Sequence, residues 1–390
     1  MRALGVGIAL ALGLAVAAAY PHGSPLVPGA QERSDLWSVL FLSAAGTGFA
    51  LYVATLMRLR SGGGSVRVAC AVAVLVQAVP LAGPLLLSRD AYSYWAYGRI
   101  VVVHASDPYA KAPARFPHDP ATREVAPAWR HTTSVYGPAF TAASAGIAAV
   151  AGTSRETATF LFRFLAAGAV VAAALLAASL ASRKAFAVAF IGWNPLLALD
   201  FGGGGHNDAW MIVALLVALA LIARRRDVAA GSAWVLAGAI KLPALLLMPL
   251  GLFGARRRVV AGSVAATLTL ALVTTMSFGT AWLSVFASLA TREAAFSIPS
   301  RLAQLGLGET VAFSLARVVL VAGALWLAVE ALRGRARLAL AASLLLVTNP
   351  WILPWYAVWP VALAATEDDV LAQVVAIALA AYLLPDRVPF

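Results

Sequence analysis

Residues 86–99 read LLSRDAYSYWAYGR. A long apolar run stops at an Arg-Asp pair, and three tyrosines and a tryptophan follow before Gly98. This is how a membrane helix ends: the apolar stretch closes on charge, and Tyr and Trp suit the lipid–water boundary. By that reading Trp95 and Tyr97 belong to an interfacial belt, and residues 91–104 form an amphipathic helix lying at the surface.

The rest of the chain agrees with a membrane setting. Of 390 residues 62% are apolar and only 12% charged, with mean hydropathy +0.85. A soluble domain is nearer half apolar and a quarter charged. No soluble core hides this much apolar surface, so lipid must cover it. The net charge of +12 with a pI near 10.5 would suggest nucleic acid in a soluble protein. Here it reflects arginines on cytoplasmic loops, and no nucleic-acid partner is expected. The one cysteine, Cys70, forms no internal disulfide, and no Cys/His cluster has zinc spacing.

A spanning helix needs about 20 apolar residues. Such runs occur at 3–20, 36–57, 67–87, 157–181, 185–200, 208–223, 259–277, 311–331, 338–353 and 370–384. Shorter apolar runs lie at 138–151, 229–240, 242–253 and 355–366. The fold expected is all-α: a polytopic bundle of about 10–13 transmembrane or re-entrant helices. It forms one membrane domain over 1–390, with a large outer loop at 88–137 after the third span and no separate soluble domain.

Lys and Arg set the orientation. Placing Arg58/Arg60/Arg67, Arg183/Lys184, Arg224–Arg226, Arg256–Arg258 and Arg333/Arg335/Arg337 inside puts 88–137, 201–208 and 278–310 outside. Two stretches break the alternation. Residues 229–253 lie between two arginine triplets that both belong inside, and AGAIKLPALL in their middle is interrupted by Lys241 and Pro243. Proline removes a backbone donor and clashes with the preceding turn. Twelve helical residues rise only ~18 Å, too short to cross. A re-entrant pair is expected here, and a half-inserted helix at 138–151. Both suggest a cavity within the bundle.

The outer loop is about 50 residues long and rich in Pro, Asp, His, Arg and aromatics. Asp90 stands at its start. An ordinary loop carboxylate would explain it alone, but a second outer tip, DFGGGGHNDAW (200–210), falls on the same face. Gly202–Gly205 allow close backbone approach. His206, Asn207 and Asp208 then open a helix whose N-terminus attracts an anion, although Asn and Asp are also ordinary caps. Lys241 lies deep in an apolar stretch, where a cation is a functional candidate. A third patch, NPWILPWYAVWP (349–360), carries Trp351, Trp355, Tyr356 and Trp359. It suits either an aromatic belt or stacking against a sugar.

The ordered pattern SRDAYSYWAYGR…DPY…YGP…GHND…KLPAL…NP…LPWY…WPVAL resembles the polyprenol-phosphate-mannose-dependent α-mannosyltransferases of actinobacterial cell envelopes, which belong to the GT-C class. The resemblance covers roughly residues 36–365. It implies an inverting transfer of mannose from polyprenyl-phosphate-mannose to a hydroxyl of a mannan-type glycan or glycolipid on the outer, periplasmic face of the plasma membrane. By resemblance Asp90 is the catalytic base. Arg89, Arg99, Lys241, His206, Asn207 and Asp208 are candidates for the donor's phosphate or sugar. Tyr94, Trp95, Tyr109, Tyr136, Trp355 and Tyr356 are candidates for acceptor or aromatic contacts. The chain has no DxD motif, so neither a metal nor another cofactor is expected. The rival reading is a transporter or flippase for a lipid-linked sugar, which also uses broken helices and midplane charges. The chain shows none of the inverted repeats common in that class.

Overall fold

In a computed structural model the protein is described over residues 1–29, 34–252, 256–286 and 294–389. Every regular element among them is helical. The longer helices are α1 (Arg2–Ala17), α2 (Asp35–Ser61), α3 (Val66–Ala78), α4 (Asp90–Val102) and α5 (Pro138–Ala151). Then come α6 (Arg155–Leu180), α7 (Lys184–Gly192), α8 (Asp208–Ala223), α9 (Asp227–Ile240) and α10 (Pro243–Leu252). The last are α11 (Arg257–Phe278), α12 (Glu309–Leu332), α13 (Leu338–Thr348), α14 (Val358–Ala364) and α15 (Val370–Leu383). The protein is an all-α polytopic membrane protein.

Four helices, α2, α6, α11 and α12, are long and apolar enough to cross a membrane. A fifth crossing is available if α7 and the turn Pro195–Gly203, bent by 47°, count as one span. Eight further apolar helices have 10–17 residues. At 1.5 Å per residue those rise only about 15–25 Å, shorter than a ~30 Å hydrocarbon layer. The outward faces are apolar: Leu268 and Met276 on α11, and Val318 and Leu325 on α12, are more than 60% exposed. Such surface belongs against acyl chains.

Local sequence explains the breaks. Ser154 caps α6, its hydroxyl accepting from the Thr157 amide at 3.1 Å, and Asp369 caps α15 through the Leu371 and Ala372 amides. The short helix at 138–151 falls where the sequence places it, with Pro138 in its first turn and Gly152 (φ +57°) ending it. The 229–253 run breaks at Lys241, whose backbone is extended (φ −154°, ψ 132°), and Pro243 biases Leu242, the residue just before it, away from the helical region. Residue 253 lies outside the described residues, as do residues 287–293 of the loop expected at 278–310.

The expected surface helix at 91–104 is not found as such. Helix α4 packs against α5 and α6 with Trp95 0% and Tyr97 2% exposed. The Tyr97 hydroxyl donates to the carbonyl of Thr132 at 2.9 Å. The aromatics that read as an interfacial belt are buried in the protein interior. Close packing makes this possible: a Cβ at Gly98 would come within 2.2 Å of the Ser144 carbonyl oxygen on α5. The tip at 201–208 is likewise buried rather than exposed.

Candidate active site

Three stretches meet at one place. The turn before α4 brings Arg89 and Asp90, the glycine-rich segment before α8 brings His206 to Asp208, and the break between α9 and α10 brings Lys241. The first two are tied directly by the Leu86 amide, which donates to the Gly203 carbonyl at 3.1 Å; the Leu87 amide anchors the same turn to the Leu26 carbonyl at 2.8 Å. Gly202 has to be glycine, because a Cβ there would lie 2.7 Å from the Gln77 carbonyl oxygen. The Arg163 guanidinium, on α6, donates to the carbonyls of Gly202 (2.8 Å), Gly83 (2.9 Å) and Pro80. A buried cation thus serves one backbone oxygen of the glycine-rich turn and two of the turn at Pro80–Gly83.

A cavity of about 620 Å³ opens beside these residues. Its lining includes the polar side chains of Arg89, Asp90, Asn349 and Arg387 and the apolar ones of Leu242, Pro243, Leu246 and Leu345. Between them lie Trp129, Tyr136, Trp351, Trp355, Tyr356 and Trp359. Asp90 begins α4, its amide donating to Ser88 Oγ at 3.2 Å, so the carboxylate sits at the positive end of the helix. Its side chain is 23% exposed, and Oδ2 faces His206 Nδ1 at 3.4 Å. Burial pushes the Asp90 carboxyl up, but contact with His206 and the charges of Lys241 and Arg387 more than offset it and hold it below the ordinary carboxylate range.

The expected site residues divide into three groups. Arg89, Asp90, Lys241, Tyr136, Trp355 and Tyr356 line the cavity. His206, Asn207 and Asp208 stand behind its wall, each no more than 1% exposed. Asp208 receives Lys241 Nζ at 2.6 Å and the Trp359 indole N–H at 2.7 Å. Lys241 also lies over the Tyr356 ring, 4.6 Å from its centroid. The charge of Lys241 is therefore already paired, and Asp208 serves Lys241 rather than a ligand. His206 stacks on Trp355 at 3.5 Å and 12°, out of reach of the cavity.

The remaining candidates lie elsewhere. Arg99 does not reach the cavity: it is buried against Asp119 at 2.8 Å and the Gly152 carbonyl. Asp119 also takes His104 Nε2 at 2.7 Å. Trp95 packs under Arg99, 5.6 Å from its guanidinium carbon. Tyr94 and Tyr109 support Tyr136 from behind, Tyr94 edge-on at 4.9 Å and Tyr109 by donating to its carbonyl at 3.0 Å. None of these four candidate side chains lines the cavity; each is engaged in packing or in hydrogen bonds within the protein.

Arg387 was missed. Among the described residues neither it nor Arg89 makes a side-chain hydrogen bond or ion pair. Nothing around Arg387 in the sequence marks it, because it follows the last helix and no motif surrounds it. Among the described residues no three His, Cys, Asp or Glu side chains converge as a metal centre.

Comparison with known proteins bears on this geometry. Residues 3–256 match the family model described as alpha-(1->6)-mannopyranosyltransferase, N-terminal domain. The chain belongs to that family. It is 29% identical over 338 residues to alpha-(1->6)-mannopyranosyltransferase A of Mycobacterium tuberculosis, covering 76% of this chain and 65% of the relative. A second Mycobacterium tuberculosis alpha-(1->6)-mannopyranosyltransferase is 27% identical over 369 residues, covering 72% and 62%. Alpha-(1->6)-mannopyranosyltransferase B of Corynebacterium glutamicum is 33% identical over 158 residues, covering 39% and 26%. The chain thus spans less than two thirds of the length of these relatives. No solved structure matches it. Arg89, Asp90, His206 and Lys241 fall within the matched stretch, whereas Tyr356, Trp359 and Arg387 fall beyond it.

Proposed function

We propose that this protein is an inverting mannosyltransferase. It moves mannose from polyprenyl-phosphate-mannose to a hydroxyl of a mannan-type glycan or glycolipid, on the outer face of the plasma membrane. The observation that carries the reading is Asp90: a partly exposed carboxylate at a helix start, in the wall of a cavity whose lining also holds cations and a set of apolar side chains.

The chemistry follows from that layout. The acceptor hydroxyl attacks the anomeric carbon of the mannosyl phosphate while Asp90 accepts its proton. The bond from that carbon to the phosphate oxygen breaks, and the electron pair leaves on polyprenyl phosphate. A β-linked donor so displaced gives an α-mannoside. One carboxylate suffices, unlike the pair a retaining glycosidase needs. A well-placed base contributes ~10²–10⁴ in rate. Arg89 and Arg387, which make no side-chain hydrogen bond or ion pair among the described residues, take the growing phosphate charge, with Lys241 as a further cation. Arginine suits this task because its planar fork matches phosphate oxygens. The reaction needs no metal on this reading. The polyprenyl chain lies along Leu242, Pro243, Leu246 and Leu345, and the acceptor sugar stacks on the tryptophans of the 349–360 patch. This reading also takes the bundle to be of GT-C type.

The test uses the purified chain in liposomes with radiolabelled polyprenyl-phosphate-mannose and an α-mannoside acceptor. Label passing into the glycan is expected. Donor crossing the bilayer without transfer would replace the transferase with the flippase.

A further inference from the structure

His206 is poorly placed to meet a substrate. It is 1% exposed and does not line the cavity. Its ring is fixed on one face by Trp355, with centroids 3.5 Å apart. Near its other nitrogen, a Cβ at Gly204 would come within 2.8 Å of Nε2. Only a glycine at 204 leaves space for the ring in this position. Its Nδ1 is buried and makes no aligned hydrogen bond, yet it points at Asp90 Oδ2 from 3.4 Å. That distance is longer than the 2.7–3.2 Å of a well-formed N–H···O bond. A buried nitrogen without a partner is costly, and contacts of this kind often tighten only when substrate is bound.

We propose that His206 is a positioning residue for Asp90: a neutral imidazole whose Nδ1–H holds the carboxylate in the orientation and the ionised state that proton acceptance requires. The inference rests on the reading of Asp90 as the base. Burial disfavours the imidazolium and pushes His206 below its ordinary range, even with Asp90 and Asp208 nearby, so the ring works as a dipole and not as a charge. The other groups facing this pair are accounted for. Lys241 and Arg387 favour the Asp90 carboxylate. Asp208 is paired with Lys241. Tyr94 and Tyr356 are buried, Tyr136 is partly buried, and all three sense the Asp90 charge. Arg163 packs against Gly205 and is committed to three carbonyls. Asp200, on the preceding turn, senses Asp208 and Arg387. None of these supplies a donor in place of Nδ1.

Two substitutions separate this role from packing and from substrate contact. His206→Phe keeps a ring against Trp355 and removes the donor. His206→Asn puts an amide N–H near the place of Nδ1 and loses the stacked ring. The readout is the pH dependence of kcat/KM for mannosyl transfer by the purified full chain, with donor KM measured separately. For His206→Phe the acidic limb should move to higher pH by about one to two units, since a hydrogen bond to a charged group has that weight. Donor KM should stay within about twofold of wild type, as expected of a residue without ligand contact. For His206→Asn the limb should stay near its wild-type position. An unmoved limb in His206→Phe would overturn the proposal, and so would a limb that moves equally in both variants or a rise in donor KM with kcat unchanged. If His206→Phe does not fold, His206→Asn decides alone: a wild-type limb supports the proposal and a raised one ends it. Failure of the Asp90 reading shows separately, as an Asp90→Asn variant that retains its activity.

Discussion

Lys241 and Asp208 form a pair whose two roles can be separated. The Asp208 side chain is wholly buried, that of Lys241 is 15% exposed, and Nζ lies 2.6 Å from Oδ2. Replacing Lys241 with methionine keeps the apolar stem but leaves the buried Asp208 carboxylate with only the Trp359 indole N–H as a side-chain donor among the described residues. Breaking a buried pair in this way costs about 3–5 kcal/mol. Asp208→Asn is milder, about 1–3 kcal/mol, because the amide still accepts from Trp359 and Lys241 keeps its contact with the Tyr356 ring. The double variant Lys241→Met/Asp208→Asn leaves no unpaired charge, so its loss should fall short of the sum of the singles by at least about 2 kcal/mol. Denaturant titration of purified protein in detergent, followed by tryptophan fluorescence, measures all three. If the double variant loses as much as the two singles added together, the pair is not a buried ion pair of the kind described. Donor use is measured in parallel. Stability recovered without recovered transfer would show that the ammonium also serves the phosphate.

Other consequences are independent of that pair. Arg89→Ala and Arg387→Ala should each raise donor KM roughly tenfold with kcat less affected, the weight of one charge-assisted contact; unchanged donor KM in both would remove them from the phosphate site. Asp119 is pushed up by burial, but Arg99, His104 and the Ala121 amide outweigh this and hold it below the ordinary carboxylate range. A depressed folded-state pKa gives stability that is present above the unfolded value near ~4 and lost as pH falls through the lower folded one. Asp119→Asn should therefore be less stable than wild type at pH 7, with the gap closing below about pH 4; a gap independent of pH would contradict this. Cysteines placed singly at Ser106 and Ala229, in a Cys70→Ala background, should label from opposite sides of the membrane with an impermeant thiol reagent; labelling from one side would refute the outward loop.

Much of the architecture is legible because it is set locally. Pro138 and Gly152 bracket α5, and the Lys-Leu-Pro sequence breaks the α9–α10 run at Lys241. The site is legible where a charge interrupts apolar sequence, as at Asp90 and Lys241. What escapes is long-range pairing. Tyr and Trp at a span end look alike whether they face lipid or pack under α5 and α6. Only close approach at Gly98, against an Ala- and Ser-rich partner helix, hints at the second outcome. Arg99 looks like a phosphate ligand until Asp119 is found 20 positions away. The Trp359 bond to Asp208 joins residues 151 positions apart, and no periodicity announces it. His206 was read as a ligand because a glycine-rich turn before a helix often receives an anion, but the close packing those glycines allow places it behind Asp90.

The central claim is that Asp90 takes the acceptor's proton. Asp90→Asn preserves size and hydrogen bonding and removes the basic carboxylate. The decisive measurement is mannosyl transfer from polyprenyl-phosphate-mannose by the purified full chain, wild type and Asp90→Asn at matched protein amount, with donor binding followed separately. The account predicts a fall in transfer of at least ~10²-fold with donor binding within about threefold of wild type. Transfer above about a tenth of the wild-type rate would contradict it.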